Sequence, residues 1–290
     1  MSVLLSGSGT KTGLLGRLSR NRMALVGFIV GLFLVLVAVL APVLAPHDPY
    51  EQDLNQALLP LSREYPFGTD DLGRCVFSRV IFGTRVSLQI GVFVTVITVL
   101  LGVVLGLVAG YWGGVADEVI MRLVDTLLAF PGLVLGLVFA GLLGPGLFNV
   151  MLALALVGWT SYARVVRGAV LAVKAREFVE SAKALGAGDL YVLYRHVLPN
   201  ISAPVTVMAT LDIGRVILVA ASLSFLGLGA QPPVADWGAM LNGGKAFIRS
   251  APHLTVFPGL AIIITVMAFN FLGDGLRDLL DPRQRTRAPE

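Results

Sequence analysis

Six long apolar runs constrain this chain more than any other feature. They lie at about 23–45, 87–110, 118–143, 146–166, 201–228 and 254–276. Each is roughly 20 residues or more, enough to cross about 30 Å of hydrocarbon. Backbone groups in lipid have no water to bond, so such runs must be helices. The alternation suited to a membrane barrel is missing. The expected fold is therefore all-α and integral to a membrane, with six transmembrane helices. Composition agrees, since 56% of residues are hydrophobic and 14% are charged, against about 25% charged in ordinary globular proteins. Pro131 interrupts the third run and is expected to kink it. Gly102, Gly106 and Gly110 recur every fourth residue of the second run, a spacing that lets helices approach closely.

Charge sets an expected orientation. The tail 1–22 is basic, with Lys11, Arg17, Arg20 and Arg22 and no acid. The first run is longer than a secretory h-region and no clear cleavage pattern follows it. Basic residues also gather in 167–200 and after 277, whereas the loops 46–86, 144–146 and 229–253 hold no comparable excess. The positive-inside rule then places both termini in the cytoplasm. This divides the chain into a basic tail (1–22), a first span (23–45), an extracytoplasmic loop (46–86), a five-helix core (87–278) and a second cytoplasmic tail (279–290). Within 229–253, Trp237, Met240 and Leu241 stand at helical spacing. They fit either an interfacial or re-entrant helix or a packed outer lid.

Several functions are disfavoured at once. The net charge of +4 needs no nucleic acid to explain it. Cys75 is the single cysteine, so no intramolecular disulfide is possible. His47, His196 and His253 show no ligand spacing, and no metal site is expected. Ser6 to Thr12 superficially suggests a phosphate loop, but Thr10 stands where the glycine before Lys11 is required. No paired-carboxylate or Ser/His/Asp set suggests catalysis. Ionisable residues at membrane depth are costly and mostly face a bundle interior or a wet cavity. Asp212 and Arg215, three apart in the fifth run, and Asp125, a turn after Arg122, therefore mark either a solute path or internal ion pairs. Arg164, Arg167 and Arg277 read as headgroup anchors.

One polar island breaks the apolar pattern. Ala175 to Leu185 reads as a helix that ends at Gly186-Ala187-Gly188. Asp189 is placed to cap a second helix, Leu190 to Leu198, which is expected to stop at Pro199. Phe178, Val179, Leu185, Tyr191 and Tyr194 offer apolar anchors. Small residues Ser181, Ala182 and Ala184 permit close approach, and Glu177, Glu180, Lys183 and Arg195 supply rim charge. On physical grounds alone this is either a connector or a surface built to be gripped by a soluble partner.

The island also resembles a known signature. Glu180-Ser181-Ala182, Gly186 four residues on, and His196-Val197-Leu198-Pro199 after nine more are similar to the "EAA" loop of ATP-binding-cassette (ABC) importer permeases. Ser181 replaces the usual alanine and His196 the usual isoleucine, the latter resembling the peptide-transport branch. Phe67-Gly68-Thr69-Asp70-Asp71-Leu72-Gly73-Arg74 is similar to that branch near its N-terminus. So are Leu223 to Gly229 with Gln231-Pro232-Pro233 and Asp236 to Met240, and Phe257 to Leu260 with Phe269 to Asp278 and Asp281-Pro282. Cys75 departs from the usual aspartate after Gly-Arg.

The resemblance is to the second permease of dipeptide, oligopeptide and nickel importers, with a type I importer fold. It implies a multi-pass subunit of a bacterial or archaeal cytoplasmic membrane, forming half of a translocation path for peptides. The alternative cargo is nickel or a metal chelate, and a rival class is an ion-coupled secondary transporter or channel. It implies a second homologous permease, two ABC ATPase subunits and an extracytoplasmic binding protein as partners. No cofactor is expected on this chain, ATP and Mg belonging to the ATPases. The coupling residues it implies are Glu177, Phe178, Glu180, Ser181, Ala182, Leu185, Gly186, Asp189, His196 and Pro199, with Glu180 either a rim contact or a cap. Asp125, Asp212 and Arg215 are the candidate path residues.

Overall fold

A computed structural model describes residues 22–280. The basic positions Lys11, Arg17 and Arg20, the stretch from Ser6 to Thr12, and Asp281-Pro282 with Arg283, Arg285 and Arg287 lie outside the described residues. The chain is all-helical in its spans. α1 (Arg22–Val39) and α2 (Val76–Trp112) are separated by a folded loop. α3 (Gly114–Leu128) and α4 (Gly132–Leu143) follow, then α5 (Leu147–Lys174) and the short α6 (Glu177–Ala184). α7 (Asp189–Phe225), α8 (Trp237–Gly244) and α9 (His253–Leu280) complete it. Five helices are long and apolar enough to cross a membrane, or six if α3 and α4 together form one broken span.

Small residues hold the bundle together. The glycine stripe on α2 lies against α5. A Cβ on Gly102 would sit 2.3 Å from Tyr162 Cβ, and one on Gly106 would sit 2.7 Å from the Ala163 carbonyl. Gly110 likewise faces Val170. Removing these side chains lets two backbones approach closely, which drives helix association where lipid gives no hydrophobic gain. α1 docks on α9 in the same way. A Cβ on Gly27 would meet the Leu272 amide at 2.6 Å, and one on Gly275 would meet Ala24 Cβ at 2.1 Å.

Three features differ from the sequence expectation. α2 begins at Val76, not 87, because residues 76–86 continue the helix past the apolar run despite Arg79 and Arg85. The loop is thus shorter than 46–86. At 37 residues α2 is about 55 Å long and joins the two ends of the molecule. The third run is not one kinked helix. α3 and α4 meet at 94°, because Pro131 offers no amide, restricts Phe130 to extended backbone, and stands beside flexible Gly132. Finally, Pro199 does not end the helix before it. The chain passes from Asp189–Val192 through a π-helical turn, Leu193–Val197, straight into the fifth span. A π-turn is a recognised way to accommodate a break in the regular helical ladder.

The two ends are distinct. At one, residues 46–75 and 226–252 form a compact cap. Arg79 donates to the Pro49 carbonyl at 2.9 Å and pairs with Asp70 at 3.6 Å, while Arg74 holds the same carboxylate at 2.7 Å. Trp237 is buried, and its Nε1 donates to the Val80 carbonyl at 3.0 Å. That contact decides for a packed lid over an interfacial helix, because a tryptophan fully enclosed by protein has no headgroup to meet. Buried Cys75 stands at the N-cap of α2 without a side-chain cap bond. An aspartate is favoured at such a position because it accepts from free first-turn amides.

Candidate coupling island and translocation face

At the other end, α6 and the start of α7 form a helix–turn–helix. The turn is fixed by Gly186, whose φ of +87° is strained for any side chain. Its amide donates to the Lys183 carbonyl at 2.9 Å, and the Ala187 amide to the Ala182 carbonyl at 3.0 Å. These paired bonds are a Schellman motif, in which glycine takes the left-handed position. The inner face of the island, with Val179, Val192, Leu193 and Val197, packs with Tyr111, Val166 and Val170 of α2 and α5. Leu185, Tyr194 and Leu190 point outward, 90%, 78% and 76% exposed. Phe178 and Tyr191 are also exposed, and their rings flank His196 at 5.9 and 5.7 Å.

Two expected roles are corrected here. Asp189 does not cap through its side chain, because the N-cap residue is Gly188. Asp189 instead accepts from Tyr111 Oη at 2.6 Å and pairs with Lys183 at 3.7 Å. Glu180 makes no cap bond either, the N-cap of α6 being Arg176 with no side-chain cap. Both acids lie in first turns, where a helix N-terminus favours negative charge. Ser181 and Ala182 contribute backbone carbonyls to the C-terminal turn. Pro199 lies in the first turn of the final α-helical stretch, where its missing amide does no harm.

The intramembrane charges are paired. Arg215 Nε donates to Asp212 Oδ1 at 2.6 Å, and Tyr162 Oη donates to Asp212 Oδ2 at 3.2 Å. Asp212 and Arg215 border a cavity of about 50 Å³ with Thr98, Gly132 and Gly158. Asp125 is elsewhere, bonded to Arg164. Arg122, its expected neighbour, pairs with Glu118 at 3.1 Å. Arg167 holds Asp117 with two bonds at 2.5 and 2.6 Å. Arg164 and Arg167 thus tie α5 to α3 and do not serve only as headgroup anchors. Sequence reasoning missed Tyr111, Tyr162 and Asp117. The last was findable, since Asp117 and Arg167 are opposite charges within apolar segments and each needs a partner.

The profile of the binding-protein-dependent transport system inner membrane component matches residues 102–286. The chain belongs to this family. The N-terminal transmembrane domain of oligopeptide transport permease C matches residues 14–60. Among curated proteins, the glutathione transport system permease protein GsiD of Escherichia coli O6:K15:H31 is 47% identical over 268 residues, covering 92% of this chain and 88% of the relative. The GsiD protein of Pectobacterium atrosepticum is 44% identical over 274 residues, covering 93% and 90%. The chain is therefore a multi-pass permease of an ABC importer. Its part in such a system is that of a membrane component and not of an enzyme, and it works with partner subunits.

Proposed function

We propose that this permease forms half of a translocation path for small peptides and that its helix–turn–helix 176–199 is gripped by an ATP-hydrolysing subunit. The observation that carries this is the exposed apolar edge of Leu185, Leu190 and Tyr194 on a rigidly turned island whose opposite face is packed into the bundle. An exposed apolar patch rimmed by charge marks a contact site, and the likeness of this segment to the EAA loop favours a protein as the partner. Phe178 and Leu185 supply the grip, Glu177 and Glu180 the charged rim, Gly186 the turn, and His196 a tilted and an edge-on ring contact that seat it between Phe178 and Tyr191. Asp189 positions the island on α2. Asp212 and Arg215 belong to the path face, whereas Asp125 ties α3 to α5 through Arg164.

In this account both termini and the island are cytoplasmic, and the cap meets an extracytoplasmic binding protein. A second, similar permease completes the path, and two ATPase subunits carry ATP and Mg. Closure of the ATPases pulls the island and rocks the spans. The relatives named above are glutathione permeases, which turns the reading of cargo toward small peptides and away from nickel.

The test is to tag the chain in its native membrane, extract it gently and assay the co-purified material for ATP hydrolysis. An ATPase that is retained by the native chain and lost with Gly186→Val supports the reading. A chain that purifies alone, and moves solute in liposomes on an ion gradient without ATP, overturns it in favour of a secondary transporter.

A further inference from the structure

The Asp212–Arg215 pair is lopsided. Asp212 is 5% exposed and Arg215 56% exposed in their side chains. Both oxygens of Asp212 are occupied, one by Arg215 Nε and one by the Tyr162 hydroxyl. Only Nε of Arg215 is used. Its two terminal nitrogens have no hydrogen-bond partner among the described residues. The carboxylate thus acts as a buried anchor that fixes the guanidinium, and the outer edge of the fork is left free. That edge is the one that binds a carboxylate through two parallel bonds. An open guanidinium fork at membrane depth is costly unless it meets water, an anion or another protein.

The surroundings fit an anionic group of limited size. The adjoining cavity of about 50 Å³ lies where the broken span α3–α4 faces α2, α5 and α7, bordered by Gly132, Thr98 and Gly158. That space is open and large enough to admit a small polar group beside Arg215. The larger cavity, about 290 Å³ in the cap, is lined by Asp70, Arg74 and Arg79. Arg74 there also bonds only through Nε, but its side chain is 11% exposed against 56% for Arg215, and it shares its carboxylate with Arg79.

We infer that Arg215 is a transit site for the carboxylate of a peptide cargo, with Asp212 and Tyr162 as positioning residues. Any linear peptide with a free C-terminus carries that group, so one guanidinium serves cargo of varied side chains. The paired Asp212 also keeps the site from becoming a trap, since a compensated cation attracts an anion less strongly than a bare one. A conducting path needs binding that is favourable enough to enter and weak enough to leave. This inference rests on the peptide-import reading above.

The experiment uses the assembled permease–ATPase complex in lipid nanodiscs. Binding of a free-acid tripeptide and of its C-terminal amide is measured for the native complex, Arg215→Gln and Arg215→Lys. Loss of a bidentate charge-assisted pair corresponds to about tenfold in affinity. The native complex should therefore prefer the acid by that factor, Arg215→Gln should bind both alike, and Arg215→Lys should keep part of the preference. Equal binding of acid and amide by the native complex, absence of binding at millimolar peptide, or an acid preference that survives Arg215→Gln overturns the inference. So does separation of the two permeases in Arg215→Gln, which assigns the free edge to the partner subunit. ATP-driven peptide uptake is followed in parallel on the native complex. Uptake without an acid preference removes the transit site alone, whereas no peptide uptake removes the functional reading with it.

Discussion

Tyr111 joins three segments through one side chain and its own carbonyl. Its hydroxyl bonds Asp189 of the island, Lys183 lies 4.8 Å above its ring, and Lys174 at the end of α5 donates to its carbonyl at 2.6 Å. Tyr111→Phe keeps the ring and deletes one bond to a half-exposed carboxylate. The expected loss is about 1 kcal/mol, read as a small fall in thermal midpoint. Peptide moved per ATP hydrolysed should fall further, because the island is then less firmly tied to α2. In the cap, burial pushes the Asp236 carboxyl above its ordinary 3.8, against the lowering effect of the bond it accepts from the Ala239 amide. A carboxyl raised in the folded state favours folding only while protonated there. Its contribution is intact below the unfolded value of 3.8 and is lost as pH rises through the folded one. Thermal scans should therefore show the cap weakening from acid to neutral pH, and Asp236→Asn, which can still cap Ala239, should flatten that slope. Residue types at these sites were visible in the sequence, but their partners were not. Asp125 beside Arg122 looked like a pair on one helix. The observed partner, Arg164, is 39 positions away on α5, and only the fold brings it near.

At the scale of elements, the informative sequence signals were those with one physical meaning. The α2 glycines predicted a close helix contact, and α5 fills it. Gly106→Leu should overpack that contact and cost about 1–3 kcal/mol, measurable as reduced thermal stability in detergent. Gly186 predicted a sharp turn, and its positive φ bears this out. Gly186→Ala has open space for the methyl group but must hold a left-handed backbone, at roughly 1–2 kcal/mol. The same thermal scan should show a loss while the bundle stays folded. Prolines were less legible. Pro131 separates two helices at 94°, whereas Pro199 lies inside a continuous helix behind a π-turn. A proline removes one amide in either case, and the neighbouring packing decides whether the chain bends. Hydropathy likewise lost the first turns of α2, because Arg79 and Arg85 lower the average although the cap buries Arg79.

At the scale of the whole molecule, α2 is a continuous rod between cap and island. Near its start the Val80 carbonyl takes the Trp237 bond, and near its end Tyr111 takes the island. A pull on the island therefore has a direct mechanical route to the face that a binding protein would meet. The all-helical membrane fold, the island and the family resemblance could all be read from composition and motif, whereas the six expected spans are five helices plus one broken pair. The partition of each charge between structure and path could not, because it depends on which helices become neighbours. The most direct measurement is ATPase retention and ATP-driven peptide uptake by the complex carrying Leu185→Glu. Leu185 is almost fully exposed in the isolated chain, so the substitution should leave folding and thermal stability intact. The account predicts that the ATPase is lost from the purified complex and that uptake stops. Native-level ATPase retention and uptake in that variant would contradict it.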